Sequence, residues 1–228
     1  MENQGYDYGM IGLGTMGRNL VYNMCDHGYS VAGYDKDISM VEQLEQGKGN
    51  YKIVGARSLK ELTDALKRPR VLLMLVPAGP IVDGVIEALK PLLSEDDLII
   101  DCGNSHFSDT NLRIDKLSKA NIHFMGIGIS GARNGPSIMP GGSKAVYERV
   151  AHTLDAISAK ANGEPFVQLT FCSMQVMPKT FQFFLMYLQT SQAITSLNPE
   201  YSGSEARPKV CCEVSEKSGL LYVLKPDH

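Results

Sequence analysis

The sequence predicts an α/β fold: a doubly wound, mostly parallel sheet with helices on both faces, followed by an irregular or helical C-terminal tail. Three observations predict it. Short apolar runs alternate with amphipathic stretches from about residue 6 to residue 163, as strands alternate with crossover helices in such sheets. One run, Val71-Leu72-Leu73-Met74-Leu75-Val76, is apolar throughout, as a strand buried on both faces must be. And a glycine turn, Gly12-Leu13-Gly14-Thr15-Met16-Gly17, separates the first run from the first amphipathic stretch.

Met10 and Ile11 close that first run, and Met16, Leu20, Val21 and Met24 then recur at helical spacing as far as His27 and Gly28. Strand, glycine turn and helix in this order are the context in which a G-x-G-x-x-G motif binds a dinucleotide. Gly12 takes the tight turn, Gly14 admits a pyrophosphate to the backbone, and Gly17 lets the helix pack closely on the strand. The helix N-terminus presents free N–H groups and a positive dipole to the phosphates, with Leu13, Thr15 and Met16 as the other cofactor-contacting residues of the turn. A glycine-rich loop without a ligand is the competing reading.

The next strand, Tyr29-Ser30-Val31-Ala32-Gly33-Tyr34, ends in Asp35. Asp35 follows the turn at close to the roughly 20-residue interval of the acid that holds the adenosine ribose hydroxyls. A carboxylate there accepts both hydroxyls of NAD and repels the 2′-phosphate of NADP. Lys36 partly offsets that repulsion, so NAD is favoured and NADP stays open. A solvated strand-end residue is the alternative for Asp35.

Helical period continues over residues 37–46, burying Met40, Val41 and Leu44. Ser58 caps a further helix and Glu61 completes a capping box, with Leu59, Leu62 and Leu66 facing inward. Residues 80–93 are helical by period, with Ile81, Val85, Ile86 and Leu89 on one side. Leu98, Ile99, Ile100 and Asp101 form the next strand, residues 109–119 a helix, 122–125 a strand, and 144–161 a helix burying Val146, Val150, Leu154 and Ile157. Ligands of such sheets lie beyond the C-terminal strand ends, where segments 12–17, Ala78-Gly79, Gly103-Asn104-Ser105 and 126–142 cluster their glycines. The rhythm stops near residue 166. We therefore divide the chain into a Rossmann-like dinucleotide-binding domain, 1–166, and a tail, 167–228, in which only residues 181–188 suggest a core helix.

Composition narrows the function. A chain of 228 residues, 43% hydrophobic, holds one large domain, or a domain and part of another. A net charge of −3 offers no basic excess for nucleic acid. No apolar run approaches the roughly 18 residues of a membrane span, and Met1-Glu2-Asn3-Gln4 lacks the features of a signal peptide. Cys25, Cys102, Cys172, Cys211 and Cys212 form no C-x-x-C pair, which points to reduced thiols in the cytoplasm. His27, His106, His123, His152 and His228 lack ligand spacing, so no metal is expected. His106 is read as a packing or capping residue. No serine lies in a G-x-S-x-G elbow.

Four ordered blocks carry a family resemblance. They are Ile11-Gly12-Leu13-Gly14-Thr15-Met16-Gly17-Arg18-Asn19-Leu20, Leu75-Val76-Pro77-Ala78-Gly79, Ile99-Ile100-Asp101-Cys102-Gly103-Asn104-Ser105-His106, and Gly128-Ile129-Ser130-Gly131 with Gly135-Pro136-Ser137-Ile138-Met139-Pro140-Gly141-Gly142. Over about residues 8–165 the chain resembles the N-terminal domain of the 6-phosphogluconate dehydrogenase family. The third and fourth blocks point to this branch of the wider 3-hydroxyacid dehydrogenase superfamily. The resemblance implies NAD(P)-dependent oxidative decarboxylation of a sugar phosphate, 6-phosphogluconate, to ribulose 5-phosphate in the pentose phosphate pathway. It further implies that Val76, Pro77 and Ala78 line the cofactor cleft, that Asn104 sits by nicotinamide and substrate, and that Ser130 and Gly131 bind substrate. By local sequence alone, Asn104 is equally a turn residue and Ser130 a loop hydroxyl.

Two departures stand out. The family's substrate loop reads Ser-Gly-Gly-x-x-Gly-Ala, whereas Gly131 here runs straight into Ala132 and Arg133. After Gly163-Glu164-Pro165 the family continues to a helix reading Lys-x-x-His-Asn-Gly, then Glu-Tyr, which supplies base, substrate-holding pair and proton donor. No such sequence follows here; Lys179 is the one lysine near the place, and no His-Asn follows it. The catalytic residues are therefore unassigned. The expectation is a frameshift, alternative splice or truncation near Phe166, without the helical domain through which family members form homodimers. Three readings remain: a family enzyme whose own competence is in question, a dinucleotide-binding module without turnover, and another 3-hydroxyacid dehydrogenase.

Overall fold

The apolar runs become the strands of one sheet: β1 (Tyr8–Ile11), β2 (Val31–Tyr34), β3 (Ile53–Ala56), β4 (Val71–Met74), β5 (Leu98–Asp101), β6 (His123–Ser130) and β7 (Ser137–Gly141). The helices between them are α1 (Thr15–Asp26), α2 (Ile38–Gln46), α3 (Leu59–Asp64), α4 (Pro80–Leu89) and α5 (Phe107–Ser118), followed by α6 (Lys144–Glu148) and α7 (Ala151–Ile157). The computed structural model describes residues 5–131, 135–161, 164–165, 212–214 and 221–223. The chain divides into two compact units, Met1–Ser173 and Met174–His228.

In the first unit the strand order is β3-β2-β1-β4-β5-β6-β7. Every pairing is parallel except β6 with β7. Successive strand residues point to opposite faces, and both faces are covered. Met10, Leu73 and Ile100 belong to the core beneath α1, α2, α6 and α7. Ile11, Leu72, Met74 and Ile99 belong to the core beneath α3, α4 and α5. Each such side chain contributes about 1.5–3 kcal/mol by leaving water. The fold is the Rossmann-like, mostly parallel sheet that the alternating pattern predicts. The chain runs outward from β1 to β3, then returns to place β4 on the other side of β1, so the order reverses between β1 and β4. A crevice opens at the C-terminal ends of strands at such a point.

Several elements differ from the sequence reading. The four-residue edge strand β3 was not anticipated. The glycine-rich stretch 126–142 is largely an antiparallel pair, with Gly126 opposite Gly141 and Ser130 opposite Ser137. Pro140 lacks an N–H, which the edge position of β7 tolerates. Helix 80–93 ends at Leu89 and tightens into a 3-10 turn, Lys90–Leu92, because Pro91 supplies no donor for an α-helical bond. Its buried stripe is Val82, Ile86 and Leu89, whereas Ile81 is 52% exposed. Helix 144–161 breaks into α6 and α7 at Val150 (φ −122°, ψ −1°), whose N–H bonds Tyr147 only three residues back. Met16, expected on the inward face of α1, is 43% exposed. Beyond α7, β8 (Lys160–Ala161) pairs antiparallel with β9 (Glu164–Pro165).

In the second unit, β10 (Cys212–Val214) pairs antiparallel with β11 (Leu221–Val223), two strands that the sequence reading left without a period. The core helix expected over 181–188, Lys179, and the Ala132-Arg133 segment lie outside the described residues.

At the N-terminal ends of the central strands, Arg70 and Asp97 form a buried ion pair (Nη1 to Oδ2 2.8 Å). Asp97 also accepts from the backbone N–H of Arg70 at 2.7 Å and of Ser94 at 2.9 Å, and Arg70 Nε donates to the Thr63 carbonyl at 2.8 Å. Removing one partner strands a buried charge. Asp97→Ala is expected to destabilise the first unit by about 3–5 kcal/mol, read from the urea unfolding midpoint by circular dichroism; a loss below about 1 kcal/mol contradicts this assignment.

Candidate functional site

The glycine turn sits where β1 meets β4. Gly12 has φ +93°, and a Cβ there would stand 2.2 Å from the Leu75 carbonyl oxygen. Its N–H donates to the Tyr34 carbonyl at 2.9 Å, so the turn is tied to both neighbouring strands. A Cβ at Gly17 would stand 1.9 Å from the Gly12 carbonyl oxygen. Gly17 thus admits the turn's own backbone, a closer cause than packing of the helix on the strand. Gly14 is different. It is the N-cap of α1, offers no side-chain cap, and a Cβ on it would meet nothing within 4 Å. Arg18 N–H to Gly14 O, 3.0 Å, is the first full helical bond, which leaves the N–H groups of Thr15, Met16 and Gly17 at the helix end for an anion. Room above Gly14 and donors beside it fit a pyrophosphate.

Asp35 directly follows β2 beside this turn. Its Oδ2 accepts from the Leu13 N–H at 2.6 Å and its Oδ1 from the Asp37 N–H at 2.9 Å. The half-buried carboxylate therefore latches the turn. Each carboxylate oxygen keeps further acceptor capacity, which a ribose diol can use. Lys36 beside it is exposed.

The remaining expected residues lie at the same edge of the sheet. Val76, half-buried, and Pro77 and Ala78, exposed, follow β4. Asn104, exposed, follows β5. Ser130 ends β6, with Gly131 after it at φ +125°. Met16, Asn19, Leu75, Ile129 and Gly131 line one small cleft, which brings the glycine turn and the end of β6 together. Asn104 does not line it. His106 caps α5, its Nδ1 2.8 Å from Ser108 Oγ, and so serves the helix end.

Sequence reasoning missed the group beneath these loops. Asp101, buried at the end of β5, accepts from the Gly103 N–H at 2.9 Å and from Ser105 Oγ at 2.6 Å. Arg113, buried on α5, donates to Asp83 (Nε to Oδ1 2.8 Å), to Ser105 Oγ at 3.0 Å and to the Gly79 carbonyl at 3.1 Å. The hydrogen bond from Arg113 holds the Asp83 carboxyl below its ordinary range. Burial opposes the charge on Arg113, and its bond to Asp83 more than offsets that, so the guanidinium stays charged above its usual range. The signal was available: the apolar period of α5 places Arg113 four residues before Leu117, on the buried face.

Burial pushes the Cys25 thiol up to about 11, with Asp26 adding to the shift, and pushes Cys102 higher still. Neither is a thiolate nucleophile at neutral pH. Among the described residues, no three His, Cys, Asp or Glu side chains group to hold a metal ion, and no helix is long and apolar enough to cross a membrane.

The family model of the NAD binding domain of 6-phosphogluconate dehydrogenase matches residues 7–172. The chain is 47% identical over 164 residues to the decarboxylating 6-phosphogluconate dehydrogenase of Candida albicans, covering 70% of this chain and 32% of that protein. It is 48% identical over 166 residues to that of Haemophilus influenzae, covering 70% of this chain and 34% of that protein. The chain thus spans about a third of the length of these relatives. A solved 6-phosphogluconate dehydrogenase from Plasmodium falciparum, studied with its cofactor NADP+ and with its substrate 6-phosphogluconate, matches with a TM-score of 0.68 at 32% identity. That match covers 72% of this chain and 36% of that one.

The two glycines predict effects of different size. Gly17→Ala forces a methyl against backbone and is expected to cost about 1–3 kcal/mol of stability, whereas Gly14→Ala meets no obstacle and gives up only the N-cap preference for glycine, about 0.5–1 kcal/mol. Paired urea unfolding curves check this; equal midpoints for the two variants contradict it.

Proposed function

The chain belongs to the family of the 6-phosphogluconate dehydrogenase NAD-binding domain, and from that membership we propose that it binds a nicotinamide dinucleotide across the ends of β1, β2, β4 and β5. The observation that carries the reading is the open space over Gly14 at a helix N-terminus, beside a strand-end carboxylate. The turn Gly12, Leu13, Gly14, Thr15, Met16 and Gly17 holds the pyrophosphate, through the N–H groups of Thr15, Met16 and Gly17, while the N–H groups of Gly12 and Leu13 fasten the turn to Tyr34 and Asp35. Asp35 accepts from the adenosine ribose hydroxyls, already oriented by Leu13 and Asp37, while Lys36 faces solvent. Val76, Pro77 and Ala78 wall the other half of the cleft, and Asn104 offers an amide donor and acceptor beside it. When bound, the nicotinamide supplies the hydride acceptor of an oxidation. Ser130 and Gly131, at the end of β6, hold polar groups of the substrate, for which we propose the sugar phosphate 6-phosphogluconate. The oxidoreductase chemistry of the family is the reaction this domain serves.

We propose residues 1–166 as the dinucleotide-binding domain and 167–228 as the tail; the family match to 7–172 supports a division in this region, about six residues further on. The buried, free Cys25 and Cys102 support a reducing compartment, the cytoplasm. Asp35 favours NAD, because its charge opposes a 2′-phosphate. The absence of Lys-x-x-His-Asn-Gly from residues 166–228 favours a second reading for the 228-residue polypeptide taken alone: it binds cofactor without turning over substrate. A base within reach of the reacting hydroxyl contributes about 10²–10⁴-fold in such reactions, and no residue is assigned that role.

Calorimetric titration tests the proposal. NAD is expected to bind more tightly than NADP, and Asp35→Ala to weaken NAD by about tenfold or more through loss of charge-assisted hydrogen bonds. Wild type favouring NADP by about tenfold overturns the role of Asp35. With 6-phosphogluconate, absorbance at 340 nm is expected to stay flat; robust turnover abolished by Lys179→Ala would show that the tail supplies a base.

A further inference from the structure

We infer that Arg113 is a positioning residue for the half of the cleft away from Asp35: it sets the gap between the loop after β4 and the loop after β5. The inference rests on the dinucleotide reading above. Arg113 is a buried charge on α5, its side chain 4% exposed. Its planar guanidinium has five N–H donors in a fixed fork, and the structure uses them all. Nε and Nη2 grip Asp83 at 2.8 and 3.3 Å. Nη2 also reaches the Gly79 carbonyl at 3.1 Å. Nη1 reaches Ser105 Oγ at 3.0 Å and Asp101 Oδ2 at 3.5 Å.

These partners belong to two different loops. Gly79 ends the loop that carries Val76, Pro77 and Ala78 and is the N-cap of α4 at φ +93°. Ser105 directly follows Asn104, and its hydroxyl passes the contact on to Asp101 at 2.6 Å. The loops are also close to each other directly: a Cβ on Gly103 would stand 3.1 Å from the Val76 carbonyl oxygen. One side chain thus fastens both loops from below while Pro77, Ala78 and Asn104 remain exposed above. A dinucleotide lies across the reversal point with its adenosine half over β1 and β2. Its nicotinamide half therefore meets the β4 and β5 loops, whose separation Arg113 determines. A lysine keeps the charge but has a single ammonium, and cannot span Asp83, Gly79 and Ser105 together.

The same fold contains its own control. Arg70, as buried as Arg113, pairs with the buried Asp97 just before β4 and β5, at the far ends of the strands. Damage there lowers stability without touching the cleft loops.

The test compares NADH with ADP-ribose, which lacks the nicotinamide, by calorimetry on the 228-residue chain. In Arg113→Lys and Ser105→Ala, NADH affinity is expected to fall about tenfold while ADP-ribose stays within about twofold. Asp97→Asn is expected to lower the unfolding temperature and to leave the ratio of the two affinities unchanged. If Arg113→Lys fails to fold, Ser105→Ala alone decides. Equal loss of both ligands, or unchanged NADH affinity in the folded variants, overturns the positioning role. Wild type that binds neither ligand overturns the dinucleotide reading beneath it.

Discussion

The turn from β1 to α1 is wedged between the ends of two neighbouring strands. Side chains at Gly12 and Gly17 would bring a Cβ within 2.2 Å of the Leu75 carbonyl oxygen and 1.9 Å of the Gly12 carbonyl oxygen. Both obstacles are backbone, so no rotamer change relieves them. The turn can therefore stay low against the sheet only while both positions are glycine. That low path lets α1 begin directly at the end of the central strand, with its first N–H groups facing the crevice where the strand order reverses. Gly14 has open space in front of it instead. Two glycines serve the fold, and one leaves room for a ligand.

A repeated device holds the loops around this turn. At three strand ends a carboxylate accepts backbone N–H groups from the segment that follows or adjoins it. Asp35 after β2 takes Leu13 and Asp37. Asp101 in β5 takes Gly103, and it meets Arg113 and Ser105 on its other oxygen. At the opposite edge of the sheet, Asp97 takes Arg70 and Ser94. In a half-buried setting such charge-assisted bonds are about twice as strong as neutral ones, and an unpaired partner is costly. Loop position at the ligand edge is thereby tied to the rigid strands. Asp35 differs from the others in remaining partly exposed, which leaves it free to serve a ligand as well as the turn.

Much of this was legible in the sequence because glycine spacing and apolar period report local sterics. The first turn, the strand-end acid and the buried strands β1, β4 and β5 depend on few residues close in sequence. What was missed depends on residues far apart. Arg113 meets Asp83 and Asp101 only after two crossovers bring α4, α5 and β5 together, so the period of α5 marks it as buried but does not name its partners. The β6–β7 pairing hid beneath glycines and Pro140, which depress strand propensity but are tolerated at an edge. Ile81 and Val82 compete for the inward position on α4, and the period alone favoured the wrong one. The capping of α3 shows how fine the limit is: Ser58 accepts from the Glu61 N–H at 3.1 Å as expected, but the Glu61 carboxylate takes the N–H of Arg57, one residue outside the box.

The central claim is that the backbone of residues 12–17 and the strand-end loops beside it form a dinucleotide site. Amide chemical-shift perturbation by two-dimensional NMR, with NAD titrated into the labelled chain, tests it residue by residue. The account predicts saturable shifts concentrated on the amides of residues 12–17, Asp35, Val76, Ala78 and Asn104, with Arg70, Ser94 and Asp97 at the opposite edge unmoved. Saturating NAD that leaves the glycine turn unshifted, or shifts centred on the Asp97 edge, would contradict it.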